Sequence, residues 1–225
     1  MTISQTLDDA ALRHPIPGFV AAAIHDGKIV HQSAHGLRDA EANAPMGLDA
    51  VFRIYSMTKA VTSAAVFQLI ERGKIALDAP AADYAPELAE VQVLIGFDDA
   101  GAPLLRAPRE TLTIRHLLNH SAGFGYGIWN ADLARYASSK ASTPQNLVLA
   151  FDPGASWEYG IGIDWAGRIV ENVSGQTLEA YFKDNWDVNF SHSYCPDCEK
   201  TEVVRIELKD QSPHAEEAVP KGPRL

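Results

Sequence analysis

FRIYSMTKAVTSAAVFQLIERG, residues 52–73, carries a single charge between Arg53 and Glu71, and that charge is Lys59. The stretch predicts a strand over VFRIY and then a helix from Ser56 to about residue 72, with Gly73 as the residue that ends it. Apolar side chains fall on every side of this helix, the pattern of a helix packed between other elements. An ammonium placed there, three residues after a serine, asks for a chemical reason.

Residues three apart on a helix share a face, with about 5–6 Å between their side chains, so the amine of Lys59 can reach the hydroxyl of Ser56. Ser56 sits at the first turn, where unpaired N–H groups and the helix dipole create positive potential. That potential and burial both disfavour an ammonium, and the expectation is a neutral amine able to accept the serine's proton. A serine hydroxyl needs such a base to become a nucleophile. On these four residues alone a plainer alternative stands beside this one: Ser56 as a helix N-cap, and Lys59 extending its ammonium to solvent.

Composition narrows the function classes. The 225 residues are 46% hydrophobic with a formal net charge of −10, which fits an ordinary globular protein. Lys and Arg form no cluster, so a nucleic-acid partner is not expected. The start, MTISQTLDDAALRHP, has neither the basic opening nor the apolar run of a secretion signal, and no run of eighteen apolar residues suggests a membrane span. A soluble cytoplasmic protein is expected, with a secreted mature chain as the alternative. The two cysteines, Cys195 and Cys198 in CPDC, are too few for a disulfide framework. With His192 and His214 they could form half of a zinc site, but the reading preferred here has no metal and no organic cofactor.

Along the chain, two β-prone runs flank Asp26-Gly27 and predict a hairpin over residues 19–35. Residues 74–109 read as irregular connections with a small hairpin near residues 98–101. TLTIRHLLNHSAGF predicts a helix capped at Thr111 or Thr113 and ending near Gly123, which puts His116 and His120 four apart on one face; packing is the preferred role for both. Further helices are expected over 144–150, 162–173 and 176–186, the last opened by Ser174, with a turn at residues 152–154. Strands first and helices after point to an α/β or α+β body. Residues 187–225 alternate charge and proline, with one strand-like piece at 202–208, and read as a loosely ordered tail.

Three separated segments, IYSMTKAVTSAAVFQLIERGKIALDAP, LTIRHLLNHSAGF and DPGASWEYGIGIDWAGRIVENVSGQTLEAYF, together resemble the serine β-lactamase and penicillin-binding-protein superfamily. The likeness is strongest to class C β-lactamases and the carboxylesterases of that fold, and S-x-x-K is a known catalytic motif of the group. It covers residues 16–186 or so, which defines a hydrolase domain over 1–186 and a divergent tail over 187–225. The resemblance implies an antiparallel sheet with a buried central helix carrying S-x-x-K. It also implies Ser56 as acylated nucleophile, Lys59 as the lysine that shares its proton, and Tyr159 of WEYGIG as the tyrosine that acts with the lysine. The substrate implied is a small ester, or a β-lactam or peptide amide.

Two departures qualify that expectation. Ile161 stands where the family motif has Asn or Ser, and an alkyl group cannot hydrogen-bond a substrate amide, which tilts the reading towards esters. No K-T-G or H-x-G triplet follows Tyr159. In the family, the strand carrying that triplet supplies an oxyanion-hole N–H, whose loss typically costs about 10²–10³ in rate. The expectation is therefore a chain that lacks C-terminal strands and leaves its N-terminal hairpin with an unpaired edge. Two functions follow: a serine hydrolase, or an inactive remnant of the fold that binds a ligand or a protein.

Overall fold

The computed structural model describes residues 2–13, 16–139, 147–186, 188–189 and 207–208. These residues fall into two compact units, one up to Arg53 and one from Ile54 onward.

The first unit holds helix α1 (Ile3–Arg13), strands β1 (Gly18–His25) and β2 (Lys28–Asp39), and the short β3 (Ala44–Pro45), in the sheet order β1-β2-β3. The expected hairpin is present. Asp26 and Gly27 both take positive φ, 48° and 71°, the requirement of a tight turn between strands of right-handed twist. A register shift between Ala23 and Ile24 bends β1, and Phe19 stacks on His35 across the pair at 4.7 Å. Among the described residues β1 is paired along one side only.

The second unit is built on α2 (Thr58–Glu71), α3 (Ile114–Leu118), α4 (Ala131–Ala137), α5 (Gly162–Ser174) and α6 (Leu178–Asn185). Strands β4 (Gln92–Phe97), β5 (Pro103–Arg106) and β6 (Val148–Leu149) form a sheet in the order β5-β4-β6, and β7 (Val188–Asn189) pairs with β8 (Glu207–Leu208). Thr62, Ala65, Val66 and Leu69 of α2 enter the core with Ile114 and Leu117 of α3, Ala166, Ile169 and Val170 of α5, and Phe182 of α6. Tyr181 is 2% exposed, and its hydroxyl reaches Gln68 Oε1 and Arg72 Nη1, both at 3.3 Å, which ties α6 to α2. The opposite face of α2, with Ala60, Ala64 and Phe67, is exposed. Among the described residues no helix is long and apolar enough to cross a membrane.

Several local expectations change. VFRIY forms no strand: residues 51–54 belong to no strand, Ile54 already has helical dihedrals, and Tyr55 at φ 43° leads straight into a 3-10 turn, Tyr55–Met57. Within the expected helix over 144–150, Val148 and Leu149 are a strand, because these branched residues pair in parallel with Gln92 and Val93; residues 144–146 lie outside the described residues. The helix after Thr113 is one turn long. Its N-terminus is closed by a reciprocal cap in which Thr113 Oγ1 accepts from the His116 N–H and His116 Nδ1 accepts from the Thr113 N–H. It stops because His120 takes φ 61°, so His116 and His120 do not share a helix face. Residues 74–109 are less irregular than expected, with Ala81, Ala85, Leu88 and Val91 buried in the main core. Asp98 closes the β4–β5 turn by accepting from the N–H groups of Ala100 and Ala102. Helix α6 is capped by Thr177 rather than opened by Ser174. Helices α1 and α4 are additions to the expected set. The CPDC pair, His192 and His214 lie outside the described residues.

One ion pair fixes the turn that leads to Tyr159. Arg106 at the end of β5 donates to both carboxylate oxygens of Asp152, at 2.7 and 2.6 Å, and the Arg109 N–H adds a third bond at 2.9 Å. The Asp152 side chain is only 14% exposed. These bonds, the Arg106 pair first, hold its carboxyl down to about 2. A depressed carboxyl pKa contributes stability that is complete above the unfolded value near 4 and lost as pH falls through about 2. The stability gap between the native chain and Asp152→Asn, measured by urea unfolding, should be constant from pH 7 to about 5 and shrink towards pH 2. A gap that does not change over that range contradicts the assignment.

Candidate active site

The candidate site lies within the second unit, where the N-terminal turn of α2 meets two loops, 119–130 and 150–161. Ser56 sits in the 3-10 turn ahead of α2, exposed, and its hydroxyl makes no hydrogen bond with any described residue. Tyr55 before it holds positive φ without being glycine, a conformation that costs on the order of 1–3 kcal/mol and recurs at functional sites. One turn on, Lys59 is partly buried. Its Nζ lies over the Tyr159 ring, 5.1 Å from the ring centre. The lysine and tyrosine picked out in the sequence, a hundred residues apart, are therefore together.

Tyr159 is placed by backbone lacing between the two loops. The N–H groups of Ala150, Gly154 and Glu158 donate to the carbonyls of Gly123, Ser121 and His120 at 2.7, 2.8 and 2.9 Å. Such close backbone approach needs residues without side chains. A Cβ on Gly160 would collide with the carbonyl of Phe124, and one on Gly125 would collide with the Glu158 carboxylate. The result is an aromatic nest around the phenol: His120 at 4.7 Å between ring centres, Trp129 at 5.7 Å and Tyr126 at 5.9 Å. His120 also meets Trp157 edge-on at 6.0 Å.

The charge state of Lys59 differs from the sequence expectation. Burial pushes its pKa down, but Asp164, Tyr126 and Tyr159 together outweigh that and hold it above the ordinary lysine value. Lys59 is an ammonium in the resting site. Asp164 occupies the first turn of α5, where the helix dipole also favours its negative charge. His120 goes the other way: burial, and then the Lys59 charge, lower its pKa, so its ring is neutral at physiological pH. Its Nδ1 is buried without a partner. Ile161, at the N-cap of α5, packs against the main core. Among the described residues no group of three or more His, Cys, Asp or Glu side chains could hold a metal ion.

Asp164, Tyr126, Trp129 and His120 were not picked out as site residues from the sequence. The aromatic density of GFGYGIWN was a usable signal; the position of Asp164 depends on the packing of α5 and had none.

Residues 3–186 match the family model described as Beta-lactamase. The chain belongs to that family. It is 37% identical over 177 residues to a lovastatin esterase of Penicillium rubens, covering 73% of this chain and 44% of the esterase. It is 32% identical over 197 residues to esterase EstB of Burkholderia gladioli, covering 79% of this chain and 46% of that protein. Unliganded simvastatin synthase from Aspergillus terreus superposes with a TM-score of 0.72 at 34% identity, over 81% of this chain and 50% of that one. The fold is therefore the mixed α/β fold of β-lactamases and transpeptidases. The chain spans less than half the length of these two esterases.

The lacing at Gly160 gives a test. Gly160→Ala should lower the melting temperature by several degrees, since an overpacked methyl typically costs about 1–3 kcal/mol. It should also displace Tyr159, visible as a change in the near-ultraviolet circular dichroism of the aromatic nest. Unchanged melting and spectrum would show that the loops tolerate a wider gap.

Proposed function

We propose that this chain carries the nucleophile and proton-transfer groups of a serine esterase or acyltransferase acting on small esters. The observation that carries the reading is the Lys59 ammonium resting over the Tyr159 ring, one helical turn from a free Ser56 hydroxyl. The two esterases it resembles, and relatives described as acyltransferases, support an ester rather than a β-lactam. The apolar packing of Ile161 agrees with that preference, because it offers a substrate amide no hydrogen bond.

In this reading the reactive form holds Tyr159 as a phenolate whose own proton has left to solvent, and Ser56 Oγ attacks the ester carbonyl as its proton passes to that oxygen. Lys59 keeps that oxygen low in energy while it is negative. As the tetrahedral adduct collapses, Tyr159 returns the proton to the departing alkoxide, leaving the acyl group on Ser56. Water completes hydrolysis; a second alcohol completes acyl transfer. The proton route uses no metal or organic cofactor. Residues 1–186 form the hydrolase domain in this proposal and residues 187–225 a divergent tail.

Incubation with p-nitrophenyl butyrate should release nitrophenol, and Ser56→Ala should abolish release. Lys59→Met should reduce kcat by about 10²–10⁴, the usual range for a lost acid–base partner. Mass spectrometry of the intact chain should show an added acyl mass on Ser56. Neither release nor acylation would sink the enzyme reading, whereas acylation without turnover would leave a chain that binds and traps acyl groups.

A further inference from the structure

Beside the Lys59–Tyr159 pair the protein exposes more aromatic surface than proton transfer requires. Trp129, Trp157, Glu158 and Tyr159 line an open cavity of about 330 Å³. Trp129 and Trp157 are each 64% exposed, and neither belongs to a core cluster. Both belong to the laced loops that hold Tyr159, so the cavity is continuous with the ring against which the Lys59 ammonium rests. Its size is at the lower end for small-molecule sites, which are mostly apolar with a few fixed polar groups.

An aromatic cup with a nearby carboxylate could take either a cation or a hydrocarbon group. The details favour the hydrocarbon. Glu158 Oε1 is buried and Oε2 is engaged by Asn130 Nδ2 at 3.0 Å. The Lys59 ammonium already faces the Tyr159 ring and would repel a second cation.

We propose that the cup formed by Trp129, Trp157 and Tyr159 is the subsite for the hydrocarbon part of a neutral ester, and that it selects substrates by apolar bulk. This names the substrate class for the reading given above and rests on it, but the cup can be tested without turnover. Each methylene buried there should tighten binding about fourfold.

The test uses the full chain with Ser56→Ala and a series of neutral methyl ketones, from acetone to 5-methyl-2-hexanone, as ester mimics that cannot be hydrolysed. Dissociation constants come from saturation-transfer NMR. The expected result is a steady gain with chain length that is flattened by Trp157→Ala or Trp129→Ala and retained by Trp157→Phe, with circular dichroism confirming that each variant is folded. A gain that none of the substitutions alters overturns the proposal, as does tighter binding of choline than of its neutral isostere 3,3-dimethylbutanol. In the native chain, kcat/KM for p-nitrophenyl esters of growing acyl length is compared with that for acetate esters of growing alcohols. The series whose gain disappears in Trp157→Ala identifies which part of the ester fills the cup. If neither is turned over, the enzymatic reading fails while the ketone series still decides the cup.

Discussion

A charged amine resting on a phenol is the interaction around which this unit is arranged. Lys59 enters from the start of α2 and Tyr159 from the loop before α5, and the ammonium sits 5.1 Å from the ring centre. Taking a lysine partly out of water works against its charge. Here that cost is offset by Asp164 on α5 and by two tyrosines, so the balance depends on α2, α5 and the 119–130 loop holding their relative positions. Small errors in that packing would alter the charge state before they altered the fold.

The scaffold meets this demand with rigid links more than with hydrogen bonds to the reactive groups. The Arg106–Asp152 pair anchors the turn, the loops are laced through their backbones, and glycine at 125 and 160 lets them close. Ser56 itself is left unbonded on a strained turn, Tyr55 holding φ 43° just before it. A site that must move protons benefits from fixed partners and a free attacking oxygen.

Much of this was legible in the sequence where local chemistry dictates structure. Asp26-Gly27 announced its hairpin, and the S-x-x-K spacing placed Ser56 and Lys59 one turn apart; Tyr159 of WEYGIG was pointed to by the family resemblance alone. What failed to show was set by tertiary packing. Val148 and Leu149 read as part of a helix, and only β4 beside them makes them a strand. His120 leaves the helix through a positive φ that no residue type at that position demands. Asp164 gave no signal of its own, and its effect on Lys59 exists only because α5 packs where it does.

The charge on Lys59 also orders the proton movements of the proposed reaction. A neutral lysine would take the serine's proton directly; an ammonium cannot. With the amine protonated at rest, the acceptor that remains is the Tyr159 oxygen once its own proton has left, and the lysine's contribution is to stabilise that phenolate until it takes the serine's proton. An apolar ester that fills the site lowers the polarity around the pair, so the attraction between the ammonium and the phenolate counts for more while the solvation of each charge counts for less. The two effects oppose one another, which is why the proposed chemistry depends on the ammonium and the ring being held together.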